Sequence, residues 1–339
     1  MNIWDIFLFT CNAVLPIVLI VLFGYFLRSR NIFSDDFLDK ANKFCFRVLI
    51  PILLFYNVGF IDKEAFLTID WMFILYAVIA ILVLFFVGLG IVMLFIKDPK
   101  QKGVVLQSVF RSNYAIIGIP LSTFLAPSAI KDTCVGLASI MAAISIPLFN
   151  ALAVISLSIF KENKEEKVSF VKTIKNIVTN PLIVGVAFGL VLLAIRLLCI
   201  ENNIDLSKAA ISSNFLYKAI ENIKNIASPL ALLVLGGKFK FSSIKRLAPQ
   251  IIIGTTLRTI VVPISCLLIG YALGFREVEF PTLIALFATP VAVSSVPMAF
   301  EMKQDGELAG QLVVWTSIVS VLTLFIIIMT CCSIGIFTI

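Results

Sequence analysis

No histidine occurs anywhere in the 339 residues. Zinc sites of the histidine type, His-centred nucleophile triads and imidazole proton relays are therefore excluded by composition. Charge is scarce too: Asp, Glu, Lys and Arg make up 14% of the chain, against about 25% in a soluble domain, which excludes a water-soluble globular fold. The seven cysteines (Cys11, Cys45, Cys134, Cys199, Cys266, Cys331, Cys332) show no CxxC or Cys/His spacing, so packing is their expected role and no metal site is expected. Neither a P-loop nor any other nucleotide motif is present, so no cofactor is expected and ATP hydrolysis within this chain is not foreseen. Paired Asp residues deep in apolar stretches, which a cation/proton antiporter needs, are missing; Asp70 and Glu301 fall near the ends of such stretches. With no deep Ser/Lys or Asp/Asp pair either, an intramembrane enzyme is not expected and no catalytic residue is assigned.

What the chain does have is apolar length. Hydrophobic residues make up 60% and the mean hydropathy is +1.07. Windows of about 20 residues place membrane spans near residues 8–27, 44–60, 71–96, 104–126, 134–160, 178–199, 219–236, 249–273, 281–300 and 309–336. The fold class is thus an all-α polytopic membrane protein with ten transmembrane helices. The opening MNIWDIFLFT lacks the basic region of a cleavable signal, so the first run reads as a true span. Loops after odd-numbered spans hold eighteen Lys and Arg, among them Arg28, Lys43, Arg47, Lys97 and Lys238; loops after even-numbered spans hold six. By the positive-inside rule both termini lie outside the cytoplasm, and the net charge of +7 reflects this loop bias, with no nucleic-acid partner. The charged stretch 161–177 is short, as a cytoplasmic linker is, and separates a first five-span unit (1–160) from a second (178–339).

The two units share their punctuation. Pro16 and Gly24 in span 1 have the spacing of Pro181 and Gly189 in span 6; Pro51 in span 2 matches Pro229 in span 7; Pro120 in span 4 matches Pro297 in span 9. Because a duplicated unit of five spans enters its second copy with reversed topology, two inverted repeats are expected. Spans 4 and 9 are the most interrupted. The first carries Asn113, Gly118 and Pro120, and the second carries Thr289, Pro290, Ser294, Ser295 and Pro297.

Proline in a helix frees a backbone carbonyl, which in hydrocarbon must be met by protein, water or ligand, so broken helices mark polar cavities. If spans 4 and 9 cross near the midplane, a small anion is the ligand their polar groups suit. The candidate substrate-binding residues are Asn113, Ile117, Gly118, Ser294, Ser295 and Arg258, and the helix-break positions are Pro120, Pro290 and Pro297. Arg258 is favoured over Arg111 for direct contact, while Arg196 reads as an interfacial anchor.

Three stretches resemble the auxin efflux carrier family: LPIVLIVLFGYFLRSRNIFSDDFLDKANKFCFRVLIPILLF, RSNYAIIGIPL, and PVAVSSVPMAFEMKQDGELAGQLVVWTSIVSVLTL. Short length and a small central loop are similar to its bacterial branch of malate- or malonate-type permeases. The resemblance implies a scaffold from spans 1, 2, 6 and 7, often dimeric, with a transport bundle from spans 3–5 and 8–10 that moves by an elevator step in a bacterial-type plasma (inner) membrane. It matches Asn113 to the family's crossover Asn, and Pro120 and Pro297 to its crossover prolines; no second Asn in span 9 mirrors Asn113. The expected activity is secondary active or facilitative transport of small organic anions, mono- or dicarboxylates, with proton or sodium coupling open. The alternatives are a sodium-coupled organic acid or sterol-type symporter and a membrane sensor that binds acids without moving them.

Overall fold

The computed structural model describes residues 3–61, 70–160, 181–201, 214–239 and 244–336. The proposed linker 161–177 lies outside them, as do both extreme termini. Helices α1 (Ile3–Ser29), α2 (Asp35–Gly59), α3 (Trp71–Phe95), α4 (Pro99–Phe110), α5 (Tyr114–Leu125) and α6 (Lys131–Ile159) come from the first half. From the second half come α7 (Pro181–Glu201), α8 (Phe215–Gly237), α9 (residues 244–272), α10 (Phe280–Phe287), α11 (Ser295–Glu301) and α12 (Gly306–Ser333). Among the described residues there is no β-strand beyond one isolated bridge, and seven helices are long and apolar enough to cross a membrane. Two further expected spans are divided: α4 and α5 make up the fourth, α10 and α11 the ninth. In α8 the length is there, but Lys218, Glu221 and Lys224 fall in its first half.

Polar caps set where several helices begin. Asp70 accepts from the Met72 amide at 2.8 Å, Asp98 from Lys100 at 2.9 Å, Asn214 from Leu216 at 2.8 Å and Asp305 from Leu308 at 2.9 Å, each satisfying an amide that the helix leaves open. In α3 the residues beyond the cap are apolar on every side. In α3, Phe73, Ala77, Ile81 and Phe85 face the protein, while Leu75, Ile79, Phe86 and Leu94 are exposed, as a helix between a core and lipid requires.

Helices α1 and α8 pack against each other, as do α2 and α7, so each half lends one of its first two helices to the other. Their backbones nearly touch. A Cβ on Gly24 of α1 would lie 2.1 Å from the Leu233 carbonyl oxygen of α8, and one on Gly189 of α7 would lie 3.0 Å from the Phe55 carbonyl oxygen of α2. Gly24 and Gly189 are the matched glycines of the sequence repeat, and Leu233 and Phe55 stand at the same offset after the matched Pro229 and Pro51. The two close contacts thus fall at matched positions of the sequence pattern.

Three widened turns precede prolines. In Cys45–Leu49, Tyr114–Gly118 and Leu257–Val261 the amide closing the turn bonds five residues back, Ile50 to Cys45, Ile119 to Tyr114 and Val262 to Leu257. Pro51, Pro120 and Pro263 follow directly. A proline offers no amide and its ring collides with the carbonyl four residues earlier; an extra residue in the turn relieves both problems without ending the helix. Arg196 is buried, not an interfacial anchor: it donates to the carbonyls of Gly59 at 2.8 Å and Ile61 at 3.2 Å and so closes the end of α2.

Candidate functional site: a cationic cavity at a backbone crossover

The two divided helices break opposite one another. Ser112 and Val291 form an antiparallel bridge, and the Asn113 amide donates to the Pro290 carbonyl at 2.7 Å. The Val291 amide donates to the Thr316 hydroxyl at 3.1 Å, and the Thr289 hydroxyl returns to the Ala285 carbonyl at 2.7 Å. Behind this pairing sits Arg258, fully buried, whose Nε donates to the Thr289 carbonyl at 2.8 Å and whose terminal nitrogens donate to Leu286 at 3.1 Å and Val109 at 3.3 Å. Unwound backbone in an apolar medium must have its polar groups met internally. Here two side-chain hydroxyls, one arginine and the partner strand do so.

On the other side of the crossover opens a cavity of about 940 Å³. Its deep wall holds Arg111, Ser112, Asn113, Asn150, Ser294 and Gln311; its mouth holds Asp35, Asp39, Lys43, Arg47, Lys238 and Glu307. Each mouth carboxylate has a basic neighbour: Asp35 with Arg28 at 2.8 Å, Asp39 with Lys238 at 2.9 Å, Glu307 with Arg246 at 2.8 Å. Among the described residues, the deep cation has no carboxylate neighbour. Arg111 is only 1% exposed, and its guanidinium donates to Gln107 Oε1 at 2.7 Å, Asn150 Oδ1 at 2.7 Å, Ser294 Oγ at 2.9 Å and Met298 Sδ at 3.6 Å, all neutral. Beside it, Asn113 Nδ2 and Ser112 Oγ are buried without a hydrogen-bond partner. A desolvated cation without a counter-charge is costly. Together with open donors, it makes the wall complementary to a carboxylate.

A second, smaller cavity of about 360 Å³ lies at the other ends of the same helices. It takes Leu53 and Asn57 of α2, Ile61 just beyond it, Pro120 and Thr123 of α5, Lys131 and Asp132 of α6, and Glu221 and Lys224 of α8. In its wall the Tyr56 and Tyr217 hydroxyls meet, and Tyr56 donates to Glu221 Oε1 at 2.9 Å. Ser112 and Asn113 of the crossover line the large cavity, and Ile119, Pro120 and Thr123, further along α5, line the small one.

Of the candidates named from sequence, Asn113 and Ser294 line the large cavity. Ser295 turns back to its own chain, donating to the Ala292 carbonyl at 2.5 Å. Ile117 lines a separate apolar cavity of about 110 Å³ with Leu121 and Ser317. Gly118 lets α5 approach its neighbours, since a Cβ there would lie 2.6 Å from the Tyr114 ring and 3.1 Å from the Ala285 carbonyl oxygen. Arg258 is not among the cavity's lining residues. Only Pro290 of the three prolines stands in unwound chain; Pro120 follows a widened turn inside a helix, and Pro297 lies within α11, its side chain outside those described. The cavity residues that sequence reasoning passed over or ranked low are Arg111, Ser112, Asn150 and Gln311. One signal for Arg111 was its place directly before Ser112–Asn113; for Asn150 it was Pro147 one turn earlier.

No curated protein matches the chain. The family described as membrane transport protein, however, matches residues 9–328, nearly the whole length. The chain therefore belongs to the membrane transport protein family, that of the auxin efflux carriers its sequence resembles.

Proposed function

We propose that this membrane transporter carries small organic anions, mono- or dicarboxylates, and holds them at Arg111, Asn113 and Ser294. The observation that carries the reading is the buried Arg111 guanidinium with neutral partners only, facing a large cavity beside the open Asn113 amide and Ser112 hydroxyl. Of the sequence-based set the site keeps Asn113 and Ser294, adds Arg111, and leaves out Ile117, Gly118, Ser295 and Arg258.

The wider reading is a ten-span protein of two inverted repeats, with spans 4 and 9 crossing near the midplane. The matched contacts of Gly24 with Leu233 and Gly189 with Phe55 support the repeat, and the Ser112–Val291 bridge supports the crossing. Two cavities at opposite ends of α2, α6 and α8 are what alternating access needs. The larger one opens toward the Lys- and Arg-rich loops, the cytoplasmic side under the positive-inside rule. An elevator step of the remaining helices against a scaffold of α1, α2, α7 and α8, a homodimer through that scaffold, and residence in a bacterial-type inner membrane with both termini outside complete the proposal.

Thermal unfolding of the purified protein with malonate, malate, aromatic acids and neutral controls tests the site, because a ligand specific for the folded state raises its apparent stability. A carboxylate that stabilises the wild type but neither Arg111→Met nor Asn113→Ala is the expected result. Equal stabilisation of wild type and Arg111→Met by every acid sinks the site assignment. Counterflow in proteoliposomes, with and without sodium, then separates a carrier from a sensor and a sodium-coupled symporter from the rest.

A further inference from the structure

We infer that Arg258 is the positioning residue of the crossover: a fixed cation that gathers the carbonyl ends of α4 and α10 and thereby holds the two unwound segments in register. The inference concerns backbone geometry and stands whichever ligand the cavity takes.

Both α4 and α10 run toward the crossover with their C-terminal ends, so their partial negative charges, about half an elementary charge each, converge on one place. Left alone, the two ends repel and their last carbonyls face apolar surroundings. Arg258 meets both. Its donors reach Val109 near the end of α4, Leu286 near the end of α10, and Thr289 in the unwound stretch beyond it. No carboxylate is among these partners, so the two helix ends are the balancing charge. A planar fork with five donors can span three separate carbonyls; an ammonium on a flexible stem cannot hold the same spread.

The bearing of α9 supports this role. Arg258 sits inside the widened turn Leu257–Val261, just ahead of Pro263, where an added residue per turn rotates side chains relative to a regular helix. On the far side of the crossover the paired atoms are the Asn113 amide with the Pro290 carbonyl and the Ser112–Val291 bridge. Pro290 directly follows Thr289, whose carbonyl Arg258 holds, so a shift there moves the acceptor of the Asn113 amide.

Hydrogen–deuterium exchange of the full-length protein in detergent reads this without any ligand. Arg258→Met should speed exchange at residues 111–118 and 288–295 by at least about tenfold, the signature of local opening, while α1 against α8 and α2 against α7 keep their protection. Arg258→Lys should fall between the two. A residue needed only for general stability would raise exchange everywhere alike. The second arm is a rescue: Ser112→Cys with Val291→Cys places two cysteines at bridge-paired positions, where Cα atoms stand about 4.5–5.5 Å apart, within disulfide reach. Mass spectrometry of the linked peptide confirms the bond. Linking should return Arg258→Met to wild-type exchange at the crossover, and should give folded, monodisperse protein even if Arg258→Met alone does not fold. Wild-type protection at the crossover in Arg258→Met, or failure of the linked variant to recover, overturns the inference.

Discussion

Arg111 and Arg258 are both buried, at 1% and 0% exposure, and among the described residues both have only neutral hydrogen-bond partners. They differ in what those partners are. Arg258 binds backbone carbonyls whose positions are set by two helix ends, and the side chain completes their hydrogen bonding. Arg111 binds the tips of Gln107, Asn150 and Ser294, side chains that can turn to other partners, and it borders a cavity. One cation completes backbone hydrogen bonding and the other borders open space. The lesson is that a buried charge in a membrane protein is read from the mobility of its partners and the space beside it, since burial alone is the same for both.

Stability should separate the two most. Removing Arg258 leaves three carbonyls unmet in an apolar setting, and Arg258→Met is expected to cost about 3–5 kcal/mol, at about 1–3 kcal/mol for each buried acceptor left open; Arg111→Met, whose partners Asn150 and Ser294 line the cavity and whose loss leaves one buried acceptor on Gln107, should cost about 1–2 kcal/mol. Thermal unfolding of both variants without ligand checks this, and equal losses would erase the distinction. Binding should invert the order: Arg111→Met is expected to weaken carboxylate binding by about 100-fold, as loss of a desolvated charge partner does, measured by titration of a stabilising acid. Asn113→Ala sharpens the front-side reading, because its Nδ2 has no partner to lose. Its melting temperature should hold while uptake falls about tenfold, the worth of one hydrogen bond to a charged group; unchanged uptake would remove Asn113 from the site. The smallest effect is expected at the mouth. Arg47 is exposed and lines the entrance, so Arg47→Gln should slow uptake about two- to threefold at low ionic strength, and the difference should vanish near 0.5 M salt as charges at the surface are screened.

Much of the architecture was legible before any coordinates. Runs of about 20 apolar residues demand helices in lipid, because no other open structure satisfies its own backbone there, and α1, α3, α6, α7 and α12 fall where those runs predict. The interruptions of spans 4 and 9 were legible as well, from Asn, Gly, Ser and Pro in otherwise apolar sequence. Their locations were less so. Pro120 and Gly118 mark the fourth span most strongly, yet the chain unwinds earlier, at Ser112 and Asn113; the widened turn Tyr114–Gly118 accommodates the proline inside a helix instead. Ser294 and Ser295 look interchangeable in sequence, and one residue's rotation sends the first to Arg111 and the second to its own backbone.

Composition and spacing, then, determined the solvent this protein lives in, the histidine chemistries closed to it, and which two apolar stretches are interrupted, because each follows from local backbone needs and from the cost of polar groups in hydrocarbon. Which arginine meets the cavity and which meets the framework was decided by tertiary structure alone. Both side chains are identical in kind and both buried, and only the pairing of the segments that follow α4 and α10 places helix carbonyls before Arg258 and leaves open space before Arg111.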